Sequence, residues 1–444
     1  MITSKVKSQF KFLHLSDIHF NKGKLGEAYE LDADLRRKLR DHAKSMADKM
    51  GPPDAVLISG DIAFGGKLGQ YDDATKWLND DLCKAIKVDP AFVWCVPGNH
   101  DVDQDIVKGK PSHKDVRKKF RDCRPDKIDS LLELHLKEPE VFYDAIAEYN
   151  EFAHGYDCRI SLAEPSVDTG TRFRFEEGSI LRLIGLNSSL ISDDDDDPEI
   201  GRMIIGSHCC QIDDSPENVN IVMCHHPPDW IRDGDNMREI LEPRCSVQLF
   251  GHKHQHKLRK LDEGLLVVSA GAVHPSRNEK GWDPRYNWLT FNIERNGRSR
   301  KLLVDVYPVC WMPEKQAFDS DLNRCDNGCD FKSFSLKLSD CEPIEFKPTQ
   351  EDGNEMTVDA NGVAIVDKER TLAWRFFQLG YVEQMKISIA LDLLSEEDKR
   401  KNDHERGDIV LTRAKERNHL FELWEKVEAA HGDARYPNNP FKKE

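Results

Sequence analysis

Apolar positions along the chain gather into short runs that break off at polar, ligand-type residues. Phe10 to Leu15 stops at Ser16-Asp17, Ala55 to Ser59 at Gly60-Asp61, and Phe92 to Val96 at Pro97-Gly98-Asn99-His100-Asp101. Val219 to Cys224 stops at His225-His226-Pro227-Pro228, and Ser246 to Phe250 at Gly251-His252-Lys253-His254. Each run is rich in Val, Ile, Leu and Phe and lacks clean alternation, the pattern of strands buried on both faces. Charged, helix-patterned segments from about Glu27 to Met50 and from Tyr71 to Ile86 separate the first three runs. Strand and helix alternate, so the pattern predicts an α/β fold.

From about Val102 to Phe173 the pattern is charged and helical, which predicts an inserted lid, and Leu181 to Leu186 then resumes the sheet. Leu265 to Ser269, Trp288 to Ile293 and Leu302 to Tyr307 are expected to complete it. The run Asp193 to Asp197 reads as a solvated loop, because adjacent carboxylates repel one another; a calcium site is the sharper alternative, although its ligands normally alternate with turn residues. Pro343 to Gly362 is polar and reads as a linker. Arg370 to Leu394 and Ile409 to Ala430 are then amphipathic, with Leu372, Phe376, Leu379 and Ile387, Leu391, Leu394 near helical spacing. The expected domains are 8–342, with the helical insertion at about 102–173, a linker at 343–364 and a small all-α domain at 365–432.

Charge narrows the function. With Lys+Arg 64 against Asp+Glu 80, the formal charge is −16, which disfavours affinity built on coating a phosphate backbone with cations but leaves open a nuclease that works through bound metal. No apolar stretch has the form of a signal peptide or reaches the length of a membrane span, so a cytoplasmic location is expected. The 12 cysteines are then expected to be reduced and mostly buried. A structural zinc at Cys310, Cys325, Cys329 and Cys341 is the alternative for those four, with one tight pair where such sites usually show two.

The strand ends carry the chemistry. A lone Asp there is usually a helix cap and a lone His usually a hydrogen-bonded core or surface residue, the category in which His14, His42, His113, His208, His256 and His274 are placed. Five strand ends bearing carboxylate, imidazole and amide oxygen in succession are a different matter. That donor set suits two borderline to hard divalent ions such as Mn²⁺, Fe²⁺, Zn²⁺ or Ni²⁺, and one carboxylate, Asp61, can reach both.

Asp17-x-His19, Gly60-Asp61, Gly98-Asn99-His100-Asp101, His225 and Gly251-His252-x-His254 stand in the order of a known signature. From about Phe10 to Tyr307 the chain resembles the calcineurin-like metallophosphoesterases. The resemblance implies a β-sandwich flanked by helices, one metal on Asp17, His19, Asp61 and His254, and a second on Asp61, Asn99, His225 and His252. His226, next to the expected ligand, is the residue most easily mistaken for it. His100 resembles the family's proton donor to the leaving group, with Asp101 orienting it. The Pro-Gly-Asn-His-Asp and His-His-Pro-Pro forms are most similar to the phosphodiesterase branch that includes bacterial cyclic nucleotide phosphodiesterases. Trp374 to Val382, Ile387 to Leu394 and Arg413 to Trp424 resemble the GTPase-associated or effector-associated adaptors of bacterial conflict and signalling proteins. The implied function is hydrolysis of a small phosphodiester with two metal ions, manganese being the expected activator in vitro, and a protein partner at the adaptor. A DNA or RNA nuclease of the same fold and a scaffold with vestigial activity are the alternatives. A helical cap that only buries one edge of the enzyme is the alternative for the C-terminal module.

Overall fold

Five strands end in the expected ligand residues: β1 (Gln9–Leu15), β2 (Ala55–Ser59), β3 (Val93–Val96), β4 (Asn218–Cys224) and β5 (Val247–Phe250). The computed structural model describes residues 5–21, 31–194, 196, 203–275, 283–343, 359–360, 365 and 367–442. In one sheet β1, β2 and β3 run parallel, with Leu15 opposite Ile58 and Ser59 opposite Val96. In the other, β4 and β5 are parallel, with Cys224 opposite Phe250, and are continued by the parallel strands Ile180–Leu186 and Leu266–Ser269. This register brings the carboxyl ends of each group of strands level, so their ligand-bearing loops leave from a common edge.

The sheets face one another through apolar side chains. Phe10 and Phe12 meet Phe173 and Phe175 edge to face, with ring centroids 5.1 to 5.4 Å apart. Every residue of β2 and β3 is buried, as expected of strands covered on both faces. Antiparallel strands Arg285–Asn296 and Ser299–Met312 extend the β1 sheet, so the predicted α/β class holds, with a mixed rather than fully parallel sheet. Helix Leu31–Met50 occupies the charged segment between β1 and β2; the start expected near Glu27 lies outside the described residues.

Two expectations need correction. The acidic run is not simply solvated: Asp193 is 6% exposed, and Arg121 of the insertion pairs with it at 2.5 Å and with Asp196 at 2.9 Å. Cation pairing overcomes the mutual repulsion that argued for an open loop, and it clamps the helical insertion to the segment after Ile180–Leu186. Asp195 and Asp197 lie outside the described residues. The C-terminal region has four helices where two long stretches were expected, Lys368–Phe377, Tyr381–Ala390, Asp403–Glu416 and Leu420–His431. The first break falls at Gly380 and the last at Asn418, which takes a left-handed backbone. Most of the expected 343–364 linker lies outside the described residues. Among the described residues, no cysteine joins a group with metal-ligand spacing, and Cys325 and Cys341 donate to backbone carbonyls instead.

The C-terminal helices pack on the catalytic layers. Leu372, Trp374, Phe376 and Trp424 share one apolar cluster with Phe92 and Trp94. The side chain of Arg370, in a residue only 5% exposed, lies 3.6 Å over the Trp94 ring; it donates to the carbonyls of Ala91 and Tyr156 and pairs with Asp157 at 2.7 Å. Thr371 adds a 2.7 Å hydrogen bond to buried Asp89. Because removing the guanidinium strands two buried acceptors, Arg370→Met is expected to lower unfolding free energy by about 3 kcal/mol in a urea titration. A chain of residues 1–345 is expected to aggregate or melt well below the full protein, and to recover on addition of residues 365–444. Full solubility and unchanged melting of the short chain would show that the contact is dispensable.

Candidate metal centre

Three of the strands turn into the site through strained backbone. Asp17, His19, Asp61, His252 and His254 all have positive φ, between 51° and 66°, a region that costs a residue with a Cβ of order 1 kcal/mol. Such conformations persist where the surroundings fix them, and here they do. The backbone N–H groups of Ile18 and His19 both donate to Asp61 O, and His252 N–H donates to Asp17 Oδ2 at 3.2 Å. The glycines of the motifs make room: a Cβ at Gly98 would overlap Asp61 Oδ1, and one at Gly251 would overlap Ser16 Oγ.

Asp17 and Asp61 are buried, at 0% and 1% exposure. Around them the potential ligand atoms of Asp17, His19 and His254 lie within 4.8 Å of one another, as do those of Asp17, Asp61 and His225, and those of His19, Asp61 and His100. His19 Nε2 and His225 Nε2 each lie 3.2 Å from Asp61 Oδ2, and His254 Nε2 lies 3.2 Å from Asp17 Oδ1. Asn99 Oδ1 bridges the other end, 3.2 Å from His225 Nε2 and 3.1 Å from His252 Nδ1. All seven residues singled out as metal ligands therefore converge.

Backbone carbonyls set the tautomers of two of the imidazoles. His225 Nδ1–H donates to Ser59 O at 2.8 Å and His19 Nδ1–H to His274 O at 3.2 Å. In the neutral rings Nε2 then carries a lone pair, and it faces carboxylate oxygens that are also acceptors. A positive charge therefore sits between them, either a proton on Nε2 or a bound cation. The electrostatics agree: burial would discharge His225, yet the Asp61 carboxylate lifts it to about 9. Burial likewise pushes Asp61 up, but the fields of His225 and His100 and the hydrogen bonds from His19 and His225 hold it well below the usual carboxylate range. The donor set fits divalent cations, and the imidazole tautomers are those of ligands oriented by backbone carbonyls.

His226 differs from His225. Its Nδ1 shares a 2.8 Å hydrogen bond with Ser188 Oγ, and burial, with His252 and His225 adding to it, holds the ring neutral. It belongs to a second imidazole group with His225 and His252, but His225 is the one that reaches Asp61. His14 hydrogen-bonds Ser59 Oγ at 3.0 Å and is kept neutral by burial, its pKa lowered to about 3, as expected of a core histidine.

The expected partnership of Asp101 with the His100 ring gives way to another. His100 Nδ1–H donates to the backbone carbonyl of Phe64 at 2.9 Å. The Asp101 carboxylate accepts from Gly98 N, Ile62 N, Ala63 N and Tyr71 Oη at 2.9 to 3.2 Å. It stitches the loop after β2 to the loop after β3, and burial followed by the nearby Asp61 raises its pKa to about 6. A side-chain pattern cannot announce the Phe64 contribution, because the contributing atom is a backbone oxygen that any residue possesses. Phe64 also stacks on His100, centroids 5.2 Å apart and planes 28° apart, while Trp230 meets His252 edge on at 4.0 Å. Neither aromatic residue stood out in the sequence.

A family model for calcineurin-like phosphoesterases matches residues 10–256, and one for the GTPase-associated adaptor domain matches residues 368–429. The metallophosphoesterase-like protein YydB of Bacillus subtilis is 24% identical over 183 residues, which are 41% of this chain and 34% of that one, so the match spans about a third of the relative's length. A dimetal phosphatase from Danio rerio is 12% identical with a TM-score of 0.39, over 74% of this chain and 99% of that one. A putative 5'-nucleotidase from Staphylococcus aureus is 11% identical with a TM-score of 0.35, over 77% of this chain and 56% of that one. The first family model takes in more than half of the 444 residues and every strand end that carries the site, and the chain belongs to the calcineurin-like phosphoesterase family.

Proposed function

We propose that the chain hydrolyses phosphodiester bonds with two divalent cations, one held by Asp17, His19, Asp61 and His254 and the other by Asp61, Asn99, His225 and His252. The observation that carries this reading is Asp61 Oδ2, which lies 3.2 Å from the Nε2 atoms of both His19 and His225. When bound, the ions supply a nucleophile from water near neutral pH and offset charge on the phosphoryl oxygens. The remaining tasks fall to side chains. Phe64 O holds the Nδ1 proton of His100, so Nε2 is the nitrogen that exchanges a proton with the leaving oxygen. Asp61 Oδ1 accepts from the backbone N–H of His100 at 2.9 Å, which ties the proton donor to the bridging carboxylate.

A small diester such as a cyclic nucleotide is the favoured substrate, and manganese the favoured activator in vitro. The adaptor region is assigned to recruitment of a protein partner in a bacterial defence or signalling system, in the cytoplasm. The proposed divisions stay at 8–342 for catalysis and 365–432 for the adaptor. Among the described residues no helix is long and apolar enough to cross a membrane.

Asp61→Ala is expected to abolish hydrolysis of bis(p-nitrophenyl) phosphate and to empty both metal positions by elemental analysis; retention of both ions would remove Asp61 from the bridging role. His100→Ala is expected to keep its metals and to lose on the order of 10²-fold or more in turnover of alkyl diesters, with far less loss on nitrophenyl esters, whose leaving groups need no proton. Equal losses on the two substrates would assign His100 to positioning.

A further inference from the structure

Phe64 is an apolar ring placed where solvent meets the site. It is 49% exposed, although it follows Ile62 and Ala63, which are fully buried. Its backbone is pinned at both polar atoms: the N–H donates to Phe20 O at 3.0 Å, and the carbonyl accepts from His100 Nδ1–H at 2.9 Å. One face of the ring stacks on His100, and its edge relation to His19 is 6.0 Å between centroids at 89°. Nearly half of a rigid aromatic surface is thus presented beside the proton donor. Trp230, at the opposite end of the cluster, is already engaged edge on with His252.

The position fixes what the ring can contact. The leaving oxygen must come to His100 Nε2, so the group attached to that oxygen lies along the His100 side of the cluster, against Phe64. We infer that Phe64 is a stacking platform for a planar group on the leaving alcohol, and that the site prefers diesters whose leaving group is a nucleoside over those whose leaving group is a plain alcohol or sugar. The inference rests on the phosphodiester reading and on His100 as its proton donor. A base offers a π-face to any aromatic platform whatever its sequence identity, so the platform selects for the presence of a base and little for its kind.

The test compares a dinucleoside monophosphate with the same diester lacking the base on the leaving nucleoside, which leaves the acidity of the leaving alcohol nearly unchanged. The manganese-loaded protein is expected to favour the first by about fivefold or more in kcat/KM, the lower end of what one base–aromatic stack contributes. Phe64→Leu keeps the backbone carbonyl and an apolar side chain, and is expected to bring the ratio towards one; Phe64→Tyr is expected to keep it. No preference in the unaltered protein, or the same preference in Phe64→Leu, would overturn the inference. Should neither diester be hydrolysed, the phosphodiester reading itself fails. Calorimetric binding of adenosine 5'-monophosphate against ribose 5-phosphate then decides the platform on its own: tighter binding of the first that is lost in Phe64→Leu supports it, and equal binding sinks it.

Discussion

Two carboxylates buried at the ends of neighbouring strands set the terms for the rest of this structure. Transferring an ion out of water costs roughly several kcal/mol even after relaxation, and Asp17 and Asp61 have no Lys or Arg partner among the contacts described for them. What surrounds them is imidazole, a ligand that is neutral until something charges it. The left-handed backbone at five ligand residues, the glycines at 98 and 251 that vacate space, and the carbonyls that hold imidazole protons away from the centre all serve the same end. They aim ligand atoms at a common place, where positive charge on the imidazoles or on bound cations compensates the carboxylates. The strain is local, and fully buried parallel strands stand behind it.

The same strands connect the site to the C-terminal helices. Trp94 lies in β3, whose end carries Asn99, and its ring is the surface on which Arg370 rests. A guanidinium in so dry a position is stable only with its hydrogen bonds complete, and the carbonyls of Ala91 and Tyr156 with the Asp157 carboxylate provide them. This packing matches the cap expected as the alternative to a free-standing module. It does not conflict with recruitment of a partner, because helix Tyr381–Ala390 faces outward elsewhere, with Tyr381 50% and Val382 59% exposed.

The strands and the convergence of their end residues were legible in the sequence, because burial on both faces writes a continuous apolar run and the end residues share one kind of donor chemistry. Contributions of backbone atoms were not legible. Phe64 O and Ser59 O orient His100 and His225 through groups every residue shares, so nothing in residue identity marks them. Asp101 was misread for a related reason: its neighbour in sequence is His100, but its partners are amides brought close by the turn between strands. The acidic run failed in the opposite direction. Its residues look solvated until Arg121, some seventy positions earlier, is folded against them. Pattern reading sees repulsion between neighbours in sequence and misses attraction between neighbours in space.

The charge balance bears on the choice between a small diester and a polynucleotide. At a formal charge of −16 the surface repels polyanions, and the repulsion grows with each phosphate brought near, whereas a single diester brings one charge. Affinity for a long nucleic acid normally comes from cations that displace condensed counterions along the backbone. Many Lys and Arg side chains here are already committed: Arg121 to the acidic run, Lys253 to Asp229 beside the site, and Lys67 to Asp103 and Asp105. On the proposed function, attraction for phosphate comes from the metal centre itself, where it acts at short range on one phosphoryl group. A centre of that kind depends on contacts to the substituents of that group for its selectivity, and Phe64, rigid and half exposed beside His100, is well placed to make one.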